Sequence, residues 1–206
     1  IGIKVVKRMV INEFDKTLTN PLKDPLYVKY LRDLPVLTSL ISYDLLTPLK
    51  LKSLAADIFV VSLLRKIGMN ILALNFVERY LKVLRLYEFG VKSLYELERD
   101  ELGIDSIEIG KRAFEIWKMP DYFIKVIAHQ GFNQEEMEVV SDIDRVSRLA
   151  EILAKKMRKI AVTEKENALV PTILQFYKSP EGTLELFGED YLHMIEDHPF
   201  MRIANG

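Results

Sequence analysis

The chain has 206 residues, 49% of them apolar and 29% charged, with only 9 glycines and 8 prolines, so disordered, collagen-like and low-complexity classes are excluded. Its 29 Lys and Arg balance 30 Asp and Glu to a formal charge of -1, which offers no broad basic field for nucleic acid and no polybasic anchor for anionic lipid. The absence of cysteine removes disulfides, thiolate zinc sites and cysteine nucleophiles together, and suits a reducing, cytoplasmic setting.

Apolar residues recur at helical spacing almost throughout, and no segment alternates long enough to predict a half-buried strand. Ile3, Val6, Met9, Val10 and Phe14 share one side of a helix over residues 3–18, which Asn20-Pro21 ends, since a proline disfavours helical geometry in the residue before it. Because the first residue is Ile1 and a helix is already under way at residue 3, the chain is expected to be a piece of something longer. Short helices are predicted over 25–32 and 36–46. Pro48 opens the next, in which Leu51, Leu54, Ala55, Ile58, Val61, Ser62 and Leu63 form a wide apolar face suited to a central helix. The longest apolar stretch there, Ile58 to Leu64, is far below the roughly 20 residues of a membrane span.

Start signals are clearer in the second half. Ser93 with Glu96, and Asp105 with Glu108, have capping-box spacing, in which side-chain oxygens satisfy the orphan amides of a helix start, and Gly103 between them marks a stop. Pro120 suits a first helical turn and begins a helix to His129. Ile143, Val146, Leu149, Ala150, Leu153, Met157 and Ile160 define a long amphipathic helix, and Thr163 with Glu166 caps another. Ser179-Pro180-Glu181-Gly182 separates a last helix at 189–196, after which the tail is expected to fray. No internal repeat is found, and no linker demands two domains.

Neither a P-loop nor a dinucleotide fingerprint is present, nor a glycine-flanked nucleophilic serine. His193 and His198 stand five apart, a spacing that does not place them on one helix face as a metal pair would be.

The segment Glu115-Ile116-Trp117-Lys118-Met119-Pro120-Asp121 through Ala128-His129-Gln130 resembles the HDOD family, helical bacterial modules of the HD superfamily of metal-dependent phosphohydrolases. In that family a helix ends in tryptophan, a proline starts the next, and that helix ends in a His pair. Glu96 to Gly110 is similar to the acidic stretch that leads into the family's Asp-His-x-x-x-Gly helix start. Leu63-Leu64-Arg65-Lys66-Ile67-Gly68 is similar to its Leu-Leu-His-Asp-Ile-Gly. The likeness covers about residues 50–155, and residues 1–18 look like the end of an N-terminal helical lobe. The resemblance implies an all-α, compact multi-helix HD-like bundle, with residues 1–18 closing the N-terminal lobe and 19–206 forming the HD-like domain and a C-terminal helical extension.

The departures bear on chemistry. Arg65-Lys66 stands where catalytic HD enzymes place the His-Asp doublet that supplies two metal ligands, and cations have no lone pair to donate. Ser106 replaces a further His, the terminal His pair is His129-Gln130, and Glu151 takes the place of the late Asp ligand. Too few ligands remain for metal-activated water, which needs three or more that converge. No catalytic residue, metal or cofactor is therefore expected. The expected role is a non-catalytic regulatory module in bacterial signal transduction that acts on a protein partner, with a nucleotide as a further ligand, and with neither nucleic acid nor membrane. The binding patch would comprise Arg65, Lys66, Ser106, His129, Gln130 and Glu151. Two rivals stand beside it: a phosphohydrolase with an altered metal set, and a helical adaptor unrelated to the HD group.

Plainer roles are also open to the same residues. Trp117 would be a core anchor, His129 a helix-end cation facing the dipole, and Ser106 the first residue after a cap. Arg65-Lys66 would be a phosphate clamp, solvated charges, or a salt bridge to Asp57 or Glu151. Lys155-Lys156 and Arg158-Lys159 would form a solvated face beside Glu164 and Glu166.

Overall fold

A computed structural model describes residues 22, 24–90 and 92–198. The helix expected over residues 3–18 and the tail lie outside them. Among the described residues every regular element is helical and there is no strand. The chain divides into two units: one takes the N-terminal part to Asp33 together with Leu64–Ala128, the other takes Leu34–Leu63 and everything from His129 onward.

In the first unit a short helix α1 (Pro25–Tyr27), capped by the Asp24 side chain, runs into a π turn, Val28–Asp33. The widened turn comes just before Pro35, which has no N–H to donate and whose ring would crowd the carbonyl four residues back in a regular helix. The expected break between residues 32 and 36 is therefore absent: helix continues as α2 (Leu34–Asp44), which belongs to the second unit.

The next helix is shorter than expected. Residues 45–57 form turns and a 3-10 turn at Lys52–Leu54, and α3 covers only Ile58–Leu64. The central, enclosed role expected for that stretch falls to α2, whose residues from Leu34 to Ser42 are all buried. Its hydroxyls are satisfied locally: Thr38 and Ser39 donate back to the carbonyls of Leu34 and Pro35, both at 2.7 Å. Ile58–Asn75 as a whole is long and apolar enough to span a membrane, but 67% of it is buried within the protein and the Arg65-Lys66 turn interrupts it.

Returning to the first unit, α4 (Ile67–Asn75), α5 (Val77–Glu88), α6 (Leu94–Leu102), α7 (Ser106–Ile116) and α8 (Asp121–Ala128) follow in order. The Ser93–Glu96 box forms in full, Asp105 accepts the Glu108 amide at 2.9 Å, and Gly103 ends α6 at φ 78°. Helices α4 and α7 pack almost backbone to backbone. A Cβ on Gly68 would lie 1.8 Å from the Ser106 carbonyl oxygen and 3.0 Å from the Gly110 amide nitrogen.

The second unit pairs α2 with α9 (Asp142–Met157), and adds α10 (Glu164–Phe176), a 3-10 turn at Thr183–Phe187 and α11 (Glu189–Glu196). Ser62 and Ser147 share a buried hydroxyl hydrogen bond of 2.8 Å, and Tyr191 ties α11 to Asp44 at the end of α2 at 2.7 Å. The box at Thr163 and Glu166 is present, and a second, Ser141 with Asp144, starts α9.

Four helical segments end with a lysine, rather than glycine, in the left-handed region: Lys50, Lys118, Lys159 and Lys178, at φ 48–59°. Each is followed by the long return bond of a Schellman ending, as from the Met119 amide to the Phe114 carbonyl at 2.9 Å. The lysine charge near a helix C-terminus offsets part of the strain. Lys159→Gly is expected to raise stability by about 0.5–1 kcal/mol in urea unfolding, because it removes that strain. Gly68→Ala is expected to cost about 3 kcal/mol or more, because the new methyl meets a carbonyl that belongs to another helix and cannot rotate away.

Candidate functional site

The turn Arg65-Lys66 separates α3 from α4. Arg65 is only 2% exposed, so it is neither a solvated charge nor a surface group. Lys66 is half-buried; its Nζ donates to the Tyr95 hydroxyl at 3.2 Å and lies 5.6 Å from the ring centre. The Gly68 contact holds the start of α7 against this end of α4, which places Ser106 at the first position of α7, itself 2% exposed.

Glu98, completely buried on α6, completes this group. It accepts the Tyr80 hydroxyl at 2.6 Å and the Ser106 amide at 2.7 Å, so it caps α7 from a neighbouring helix. Burial pushes its carboxyl above the usual range, although these hydrogen bonds and the charge of Lys66 pull the other way. Burial and the Glu98 charge push the Tyr80 phenol far above its ordinary value, so it stays a donor.

The other three sequence-predicted residues belong to the second unit. His129 follows the last residue of α8, with Nδ1 3.4 Å from Asp144 Oδ2. Asp144 is 2% exposed, and the same oxygen takes the Ser141 amide (2.9 Å) and hydroxyl (2.5 Å). Gln130 and Glu151 are buried. Glu151 belongs to a chain of charges of alternating sign. Arg148 donates to Glu151 at 3.1 Å and contacts Glu166 at 3.2 Å, while Lys155 donates to Glu166 at 2.7 Å. Lys155 is therefore a buried partner of Glu166 and not part of a solvated face. Burial raises the Glu166 carboxyl, but the charges of Lys155 and Arg148 and the hydrogen bonds it accepts outweigh that and hold it below the usual range.

Four of the six residues, Arg65, Ser106, Gln130 and Glu151, are thus buried, and Lys66 and His129 are the two that reach solvent. Trp117 is a further correction: it caps the end of α7 half exposed, its ring 5.8 Å from Phe114, while Phe114 and Phe123 occupy the core. Sequence reasoning missed Tyr80, Glu98 and Arg148. Tyr80 and Glu98 lie on different helices, with no local spacing to join them. Asp144 could have been found, since Ser141 and Asp144 have capping-box spacing.

The family model described as HDOD domain matches residues 1–131. The chain belongs to the HDOD family. No curated protein matches it. A solved structure, "Putative phosphohydrolase from Shewanella amazonensis SB2B", is similar with a TM-score of 0.60 at 17% identity, over 86% of this chain and 63% of that one. The chain therefore spans less than two thirds of that relative, and the likeness supports a shared HD-like fold. HDOD membership gives the close glycines a meaning: Gly68 and Gly110 end the two motif stretches and meet where α4 crosses α7.

The metal of catalytic HD relatives does not fit the residues present. A buried guanidinium and a half-buried ammonium stand where the resemblance places the doublet, and among the described residues no three His, Asp or Glu side chains gather as a ligand set. His129 and Asp144 form an imidazole–carboxylate contact, which can orient a hydrogen-bonding group.

The acid–base behaviour can be tested at Glu166. Its lowered pKa means that its contribution to stability is present above the unfolded carboxylate value of about 4.5 and is lost as pH falls through the lower folded value. Glu166→Gln is expected to be less stable than the parent at pH 7, with the difference shrinking below about pH 4 in denaturant melts.

Proposed function

We propose that this HDOD chain is a non-catalytic regulatory module of cytoplasmic signal transduction that acts by binding a protein partner, with a nucleotide as a further ligand. The observation that carries this reading is the buried Arg65 beside Lys66 at the place of the metal-binding doublet. A protein that needed a cation there would have to overcome two like charges before any ligand could help. The fold is meanwhile kept in full where it costs most to keep, at the Gly68 crossing and the Glu98 cap.

Of the three patch residues in the first unit, Lys66 is the one a partner can touch directly, and of the three in the second unit it is His129. Arg65→Glu would bury an unpaired carboxylate and tests folding rather than binding. Lys66→Glu is the informative change. In quantitative recovery of partners from the native host, a partner that is lost at least about tenfold with Lys66→Glu, and kept with the exposed control Lys165→Glu in the second unit, is the expected result. Recovery that is identical for parent and both variants contradicts the patch. Hydrolysis of bis-p-nitrophenyl phosphate is expected to stay at the level of a protein-free blank when Mn²⁺ is added, and turnover that His129→Ala abolishes would return the chain to the phosphohydrolases.

A further inference from the structure

Beyond the family match, which ends at residue 131, the second unit carries a stretch whose fixed charges are of one sign. From Pro180 to His198 there are six Asp and Glu and no Lys or Arg, in a chain whose formal charge is -1. Some carboxylates elsewhere are paired with lysines: Glu88 with Lys29, Asp100 with Lys92, Glu101 with Lys82. Among the described residues Glu181, Glu185, Glu189 and Asp190 have no such partner, and all four are exposed. Among the described residues no ion pair offsets the repulsion between them.

A groove of about 500 Å³ opens in this surface between the end of α10 and the 3-10 turn. Leu174, Pro180 and Leu184 contribute its apolar wall, Glu181 and Glu185 its acidic lining, and Lys178 its single cation. The walls are set before anything binds. The Ser179 and Thr183 hydroxyls share a hydrogen bond of 2.7 Å, Thr183 donates to the Pro180 carbonyl at 2.7 Å, and the Ser179 amide returns to Leu174 at 2.9 Å. While Phe187, Tyr191 and Ile195 turn inward, Leu184, Leu186 and Met194 stay 42%, 57% and 63% exposed. Exposed apolar side chains ringed by unneutralised carboxylates ask for a ligand that is apolar and cationic at once.

We propose that this groove is a docking site for a basic amphipathic segment of a partner protein, which seats an apolar side chain against Leu174 and Leu184 and sets Lys or Arg against Glu181, Glu185, Glu189 and Asp190. The size of the groove suits one or two side chains, and charge complementarity selects a basic segment over an acidic one or an anionic lipid surface. The site shares no residue with the patch of Lys66 and His129, so its failure would leave the regulatory reading where it stands.

The probe is a labelled helical peptide of about 16 residues, with Leu at core spacing and Lys on the opposite face, titrated into the full chain by fluorescence anisotropy. Glu181→Lys with Glu185→Lys is expected to weaken binding at least about tenfold, and Leu184→Ser by about fivefold. The control Glu108→Lys with Glu115→Lys, a pair of carboxylates on α7, should change it less than about twofold. Circular dichroism confirms that each variant is folded; all the changed side chains lie at least partly in solvent, so the fold tolerates them. Absence of binding by the parent chain, equal weakening by the control pair, or binding indifferent to Leu184→Ser would each overturn the proposal.

Discussion

The tightest constraint in the first unit is the crossing of α4 and α7, where Gly68 lies against the backbone of Ser106 and Gly110. No side chain fits between the two helices there, so the turn that precedes α4 and the start of α7 are held in fixed register. Glu98 secures the same junction from α6 by taking the first amide of α7, and Tyr80 on α5 secures Glu98. Four helices thus meet around one buried carboxyl. In catalytic relatives such rigidity would serve to aim metal ligands. Here it aims Arg65 and Lys66.

Both units bury charge, and they solve the problem differently. In the first, burial favours the neutral form of Glu98, and a phenol and an amide satisfy its oxygens. In the second, Glu151, Arg148, Glu166 and Lys155 remain a series of opposite charges, which repays desolvation through mutual attraction and hydrogen bonds. Neither arrangement leaves an open coordination position with several donors around it. Both arrangements hold an HD-like helical scaffold together. The acidic segment around Glu181 and Glu189 differs from both, because its carboxylates are exposed and no Lys or Arg lies between Pro180 and His198.

Much of this could be read from the chain before the coordinates. The helical class, the caps at Ser93, Asp105 and Thr163, the stop at Gly103 and the last helix at Glu189–Glu196 all follow from local chemistry, and local chemistry is what short sequence windows report. The HDOD membership rested on three motifs in the right order. What failed were statements about tertiary position. Trp117 was expected in the core by its size, yet Phe114 and Phe123 take that place. Lys155 was expected in water by its charge, yet Glu166 brings it inside. The apolar face that follows Pro48 points to a central helix there, but α2, with a proline near its start and hydroxyls along it, and α9 are the helices enclosed on all sides over most of their length. Burial of a polar residue depends on partners far along the chain, and periodicity carries no record of them.

The account turns on the doublet position being closed to a divalent cation. Metal analysis of the untagged chain after growth with added Mn, Fe, Ni and Zn tests this most directly. The account predicts that every one of these metals falls below about a tenth of an equivalent per chain. About one equivalent of any of them, lost on His129→Ala while the helical content is retained, would contradict it.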